Sequence, residues 1–380
     1  MEQLLTKYAV RLQSEGTVRP GRAAIACKND SISAVGPEDL ASLAVALLDQ
    51  LSATAIVIAE PVYPYANLLL KRSLPDLTAI IPNDSESRAS LHDIPLIALS
   101  DNVQLTATIA SVLCCRKGCI VEGVGIAAQG TLTVEQAYIA WSSLYHATFI
   151  KYHEDLLRVG QKMPEETAVL AQILQHKQSR CPLMGSSDFQ AGPLFTPREI
   201  IKEIAAVGRA TVEHRLVDSF FGNISYAGPD ALYISQTSAR LDELEHQIDA
   251  VPYENISTAG ITASSELPAH RALMAATGCR AILHGHPRLP VVMSFFSSPT
   301  EFTGIDQVCG IPVVGGEGGL GGLAETVPRA FAVTQAKAVI VRGHGVFSVG
   351  RNDFRDAFAA LLSVEEDCRM EYCRRLAGAR

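Results

Sequence analysis

Short apolar runs bounded by glycine and proline alternate with longer stretches of helical spacing along the whole chain. In KGCIVEGVGIAAQG (117–130) an apolar strand meets a Gly-x-Gly turn and a second short strand, and TVEQAYIAWSSLYHATFIKY behind it predicts a helix. The same succession returns in KAVIVRGHGVFSVG (337–350), followed by the helical DFRDAFAALLSVEEDCRMEY, and the two blocks share six of fourteen positions. AIVIAEPVYP (55–64) and AILHGHPRLP (281–290) share four of ten, with prolines at the same two offsets. Between these blocks fall IPLIAL (94–99) and IPVVGG (311–316), in matching order. Three ordered correspondences at a nearly constant offset of about 220 residues point to a tandem duplication. Two generic β-α units would also look alike, but nothing would make them keep order and spacing.

The join between the copies falls in residues 161–192, where a helical stretch within GQKMPEETAVLAQILQHKQSRCPL precedes the turn-rich GSSDFQAGPLF. Thr196-Pro197-Arg198-Glu199 then has the form of a capping box, and the helix it opens runs through IIKEIAAVGRATVEHRLV. GNISYAGPDALYISQT reads as strand–turn–strand, SSELPAHRALMAATG as a helix starting at paired serines, and RAILHGHP as a strand. Gly-rich hairpin turns argue against an all-parallel sheet. The expected fold is therefore α/β, a tandem pair of α/β/α sandwiches, each around a mixed, mostly antiparallel sheet. The expected domains are residues 1–160, a linker at 161–192 and residues 193–380.

Composition agrees with two cores. The 380 residues are 48% hydrophobic and 19% charged, which excludes a disordered chain. The net charge of −8, from 32 basic and 40 acidic residues without a basic run, excludes nucleic acid as the expected partner. No apolar stretch approaches the roughly 18 residues of a membrane span; the longest, from Ala41 to Ala59, is broken by Asp49 and Gln50. The opening MEQLLTKYAVRLQSEG lacks the apolar core of a signal peptide. Nine cysteines form no C-x-x-C pair; Cys114 and Cys115 are adjacent, and Cys368 and Cys373 are five apart. Reduced thiols in a cytoplasmic protein are the expectation.

Candidate chemistry concentrates in the second copy. On a strand His284 and His286 point to one face, so both imidazoles in His284-Gly285-His286 can meet one ion, and Gly285 removes bulk from the other face. His344 stands in a Gly-His-Gly turn where the backbone can approach a ligand. Three neutral imidazoles with an open fourth position is an arrangement of catalytic zinc; the plainer alternative is a set of buried histidines satisfied by hydrogen bonds. The repeat bears on that choice. Ile58, Glu60 and Val124 occupy the three matching positions of the first copy, so packing alone does not require the imidazoles. Glu266 follows Ser264 and Ser265 at a helix start, either as a surface acid suited to the helix dipole or as a general base beside the metal. His270, one turn further, reads as a helix-surface residue or as support behind the metal. The paired serines offer a cradle for a phosphate, and Gly222-Asn223 and Thr237-Ser238 are similar small polar loops.

Through GNIS, SSELPAH, LHGHP and RGHGVFSVG, in that order, residues 193–372 resemble the class II aldolase/adducin family, with its fuculose-phosphate aldolases and ribulose-phosphate epimerase. The resemblance implies a divalent metal, usually zinc, one per chain, on His284, His286 and His344, with Glu266 as catalytic base. It implies that Gly222, Asn223, Thr237, Ser238, Ser264 and Ser265 hold a substrate phosphate, although aldolases commonly have Ser-Gly where this chain has Thr237-Ser238. The first copy resembles a degenerate member without metal ligands. The implied activity is a lyase working on a carbon–carbon bond of a hydroxy-ketose phosphate; epimerases, dehydratases, decarboxylases and non-enzymatic adducin-like modules share the family. Members often form fourfold rings, so the implied assembly is a homo-oligomer, such as a dimer forming a pseudo-fourfold ring. Tyr63, Tyr65 and Tyr145 are the candidate proton donors from the first copy.

Overall fold

The computed structural model describes residues 2–74, 76–99, 104–168, 185–217, 221–254, 259–298, 304–315 and 322–378. The chain divides into two compact units, Met1–Lys177 and Gln178–Arg380. Both are α/β sandwiches around a mixed sheet. Among the described residues no helix is long and apolar enough to cross a membrane.

The N-terminal unit contains seven strands: β1 (Val18–Lys28), β2 (Ile32–Val35), β3 (Ala55–Pro61), β4 (Ala79–Ile80), β5 (Ile94–Ile97), β6 (Gly118–Val121) and β7 (Gly125–Gly130). Their order across the sheet is β2-β1-β3-β7-β6-β5-β4, and of the neighbouring pairs β5/β6 alone is parallel. Its helices are α1 (Glu2–Ser14), α2 (Glu38–Gln50), α3 (Tyr65–Ser73), α4 (Ser85–Leu91), α5 (Leu105–Leu113) and α6 (Val134–Val159). Alternate residues of β3, Ile56 and Ile58, pack with Leu47, Leu48, Ile109 and Leu113 of α2 and α5 on one face. The long α6 crosses β3 and β7 on the other and packs with α1, α3 and α4.

The C-terminal unit runs α7 (Pro197–Glu213), β8 (Asn223–Ala227), β9 (Ala231–Ser235), β10 (Ile248–Pro252), α8 (Ala259–Thr262), α9 (Leu267–Thr277), β11 (Ala281–Gly285), α10 (Arg288–Ser294), β12 (Asp306–Val308), β13 (Ile311–Val314), α11 (Gly322–Thr334), β14 (Ala338–Val341), β15 (Gly345–Gly350) and α12 (Phe354–Gly378). The sheet order is β10-β9-β8-β11-β15-β14-β13-β12, with β13/β14 the one parallel pair. Without β10 this is the order of the first sheet, strand for strand. The registers agree as well: Ala281 opposes Gly350 as Ala55 opposes Gly130, and Gly285 opposes Val346 as Ala59 opposes Ile126. Leu273 of α9 and Phe331 of α11 pack with Ile282, Val339 and Phe347 on one face; α12 covers β11 and β15 on the other.

Local signals formed as expected where they rest on capping chemistry. Thr196 Oγ1 accepts from the Glu199 N–H at 3.3 Å and a Glu199 carboxylate oxygen accepts from the Thr196 N–H at 3.1 Å, so α7 starts at Pro197. Its end differs from the sequence expectation. The helix stops at Glu213, because Arg215 takes φ 58° and the Leu216 N–H turns back to the Thr211 carbonyl at 3.1 Å. Leu216 and Val217, expected to continue the helix, are thereby buried. The helix expected at the paired serines starts at Leu267 instead, since the Glu266 N–H donates to Ser264 Oγ at 3.3 Å and closes a tight turn first. Of the helical stretch expected in the linker, residues 165–168 are helical and 169–184 lie outside the described residues. Thr196→Ala removes one arm of the capping box, and urea unfolding should show a loss of about 1 kcal/mol. A change within about 0.2 kcal/mol would mean that α7 is held by its packing alone.

Candidate metal centre

His284 lies on β11, His286 directly follows its end, and His344 sits in the turn between β14 and β15. β11 lies beside β15, so His284 opposes Phe347, while Gly343 at φ 67° turns the chain and the His344 N–H closes on the Val341 carbonyl at 3.0 Å. The imidazoles meet. His284 Nε2 is 3.0 Å from His286 Nε2 and 3.1 Å from His344 Nε2. All three rings are buried, at 0%, 4% and 1% exposure, so their polar edges face one another rather than water. The His284 ring stacks on His344 and on Phe347 at centroid distances of 5.0 and 4.1 Å.

Two glycines make this approach possible. A Cβ on Gly285 would stand 2.6 Å from the Leu216 carbonyl oxygen, so the strand between the histidines must stay bare on its outer face. A Cβ on Gly345 would stand 2.5 Å from the Gly285 carbonyl oxygen and 2.6 Å from the His286 ring. In the N-terminal unit Gly125 keeps the same approach, with its Cβ position 2.6 Å from the Ala59 carbonyl oxygen. There the imidazoles are absent. Ile58 is in the apolar core, and Glu60 is paired with Arg19 at 3.0 Å and Arg22 at 3.3 Å.

The donor set fits a divalent cation. His284 has Nδ1 at 3.1 Å from the Val346 carbonyl, which can only accept, so its one proton sits there and its Nε2 lone pair faces the centre. Burial pushes the His284 pKa down to about 3, so the ring is neutral at pH 7. The carboxylate of Glu266 closes a further side, 3.3 Å from His344 Nε2 and 3.6 Å from His284 Nε2. Burial acts to raise the Glu266 pKa, but His284, His344 and the Asn223 amide outweigh it and hold the group below the usual carboxylate range. Among the described residues His284, His286 and His344 form the one cluster with metal-ligand geometry.

The remaining expected residues divide. Asn223 joins the site, donating from Nδ2 to Glu266 Oε2 at 2.9 Å. Gly222 stands directly before it at φ 147°, where a Cβ would be 2.7 Å from the His284 carbonyl oxygen. Thr237 and Ser264 are brought together by the Gln236–Ala263 bridge, but much of their hydrogen bonding is internal. The Thr237 N–H and hydroxyl go to the Thr262 and Ala263 carbonyls, both at 2.9 Å, and the Ser264 N–H goes to Ser235 at 3.0 Å. Ser238 takes φ 60°, the left-handed region that glycine adopts most readily. Ser265 is exposed. Tyr65 and Tyr145 are buried in an aromatic cluster of their own unit, with Tyr63 against Tyr65.

Of the two readings of His270, the structure excludes the helix surface: the residue is fully buried and reaches Asn223 and Ser225. The spacing held a signal for this, since His270 lies three residues before the buried Leu273 on one stripe of α9.

Residues 202–372 match the model of the Class II Aldolase and Adducin N-terminal domain. The C-terminal unit is a class II aldolase/adducin domain. Solved structures similar to the chain include L-fuculose-1-phosphate aldolase from Thermus thermophilus, at 25% identity over 47% of this chain and 96% of that one, with a TM-score of 0.40. YgbL from Klebsiella pneumoniae, described as a putative aldolase/epimerase/decarboxylase, is 23% identical over 47% of this chain and 90% of its own, with a TM-score of 0.39. A sugar-phosphate aldolase from Thermotoga maritima is 20% identical over 48% and 97%, with a TM-score of 0.36. No curated protein matches the chain.

The paired glycines of this aldolase/adducin domain and of the N-terminal unit provide an internal control. Gly345→Ala should reduce bound metal severalfold, because the new methyl group displaces His286. Gly125→Ala strains an equivalent turn without imidazoles and should leave bound metal unchanged. Elemental analysis of the two variants checks this, and equal losses would contradict a centre confined to the C-terminal unit.

Proposed function

We propose that the protein is a metal-dependent lyase of the class II aldolase type, cleaving or forming a carbon–carbon bond in a hydroxy-ketose phosphate or a related small hydroxy-carbonyl compound. The observation that carries this reading is the meeting of three buried imidazoles with the Glu266 carboxylate. His284, His286 and His344 would hold one divalent ion per chain through Nε2; three imidazole nitrogens suit zinc. When bound, the ion supplies Lewis acidity that polarises a substrate oxygen and stabilises negative charge developing beside it.

The chain's own groups supply the rest. Glu266 is ionised and its side chain is only 16% exposed, so its lone pairs meet few competing waters and it can take a proton from a substrate hydroxyl or carbon. The Asn223 amide donates to Oε2, which also lies 3.6 Å from His284 Nε2, while Oε1 lies 3.3 Å from His344 Nε2. Gly222 and Asn223, with Thr237, Ser238, Ser264 and Ser265, are proposed to receive the phosphate through N–H and hydroxyl groups. An adducin-like assembly role would give no reason to bury this cluster, whose polar edges cost free energy unless a partner satisfies them.

In this reading residues 193–380 form the catalytic domain, residues 161–192 a linker, and residues 1–160 a degenerate domain without a metal. We further place the protein in the cytoplasm, as a homo-oligomer such as a dimer of pseudo-fourfold form. Every described cysteine is a free thiol, which accords with a reducing compartment.

The test pairs a screen with a variant. Zinc-reconstituted protein is assayed against ketose phosphates and non-phosphorylated hydroxy-acids, with product analysis. Glu266→Gln preserves size and polarity but removes the basic lone pair. It should retain the metal and lower turnover by about 10²–10⁴-fold, and a loss below about tenfold would rule Glu266 out as the base.

A further inference from the structure

Behind Glu266 lies a buried chain of side chains whose direction is fixed by chemistry. Ser225 Oγ is 2.6 Å from His270 Nδ1, His270 Nε2 is 2.5 Å from Asn223 Oδ1, and Asn223 Nδ2 is 2.9 Å from Glu266 Oε2. A carboxylate accepts only, so the Asn223 amide must present its NH₂ to Glu266 and its carbonyl oxygen to His270. That oxygen also accepts only. His270 must therefore carry its proton on Nε2, and Nδ1 then accepts from the Ser225 hydroxyl. His270 and Ser225 are fully buried, and the hydrogen bonds that link them to the imidazole centre run through Asn223 and Glu266.

We propose that His270 is a positioning residue of the site, a neutral Nε2–H imidazole that locks the Asn223 amide in one of its two orientations and so aims Glu266. The proposal rests on the function assigned above, because it gives Glu266 the basic role. A flipped Asn223 would turn its carbonyl oxygen on the carboxylate, and the resulting repulsion would push Glu266 off the line it holds beside His284 and His344. Nothing in the fold alone needs this device. In the N-terminal sheet the register equivalents of Asn223 and Ser225 are Ala24 and Ala26, which pack in an apolar core.

Two substitutions of similar polarity separate aiming from packing. In His270→Gln the side-chain NH₂ falls near the place of Nε2–H and still reaches Asn223. In His270→Asn the amide falls near the place of Nδ1, facing Ser225 but short of Asn223. On a substrate that the wild-type chain turns over, His270→Asn should lower kcat by about 10–100-fold while His270→Gln retains most of it. Zinc per chain should equal wild type in both. Independently of activity, two-bond ¹H–¹⁵N correlation spectra of the full-length protein should show His270 as the Nε2–H tautomer at pH 7. Equal kcat in the two variants, or an Nδ1–H or doubly protonated His270, would overturn the proposal. If no substrate is turned over, the assigned function fails, and the tautomer still decides the orientation of the chain.

Discussion

Everything at the candidate site depends on three buried imidazoles brought together, with His284 Nε2 3.0 Å from His286 Nε2 and 3.1 Å from His344 Nε2. Each Nε2 carries a lone pair or one proton, and the single proton of His284 is held on the far side of its ring by the Val346 carbonyl. Burying so many polar atoms costs free energy unless partners satisfy them. A divalent cation would remove that cost and offset the charge of the adjacent Glu266. The same low-polarity surroundings would strengthen the electrostatic interactions of a loaded site.

The scaffold that permits this is present twice. Apart from β10, strand order, the senses of the neighbouring strands and the register are the same in both sheets, and Gly125 and Gly345 hold the same close approach. The difference lies in a few side chains. Where the C-terminal sheet carries His284, His286 and Asn223, the N-terminal sheet carries Ile58, Glu60 and Ala24, and the space becomes apolar core or a surface ion pair. Folding and chemistry are therefore separable in this architecture. Glycines and alternating apolar residues build the sheet, and the imidazoles are an addition that packing does not require.

Much of this was legible from the sequence because it rests on local rules and on internal comparison. A strand brings residues i and i+2 to one face, so the spacing predicts that His284 and His286 point together; the repeat adds that the first copy keeps none of the three histidines. The capping box at Thr196 was legible for a similar reason, since its two hydrogen bonds lie within one helical turn. Features set by tertiary contact were less so. β10 has no counterpart in the first copy, so the repeat could not announce it. The end of α7 is set at Arg215, whose left-handed turn carries Leu216 and Val217 into the interior, and the burial of His270 by the elements packed on α9. The link from Asn223 to Glu266 joins residues 43 apart that no periodicity relates.

The most direct test of the central claim is the metal content of the full-length protein by elemental mass spectrometry, after zinc reconstitution and removal of loosely bound ions. The account predicts one ion per chain, and essentially none in the His284→Ala/His344→Ala double variant, which keeps only one of three imidazole ligands. A stoichiometry near two per chain, or full retention by the double variant, would contradict it.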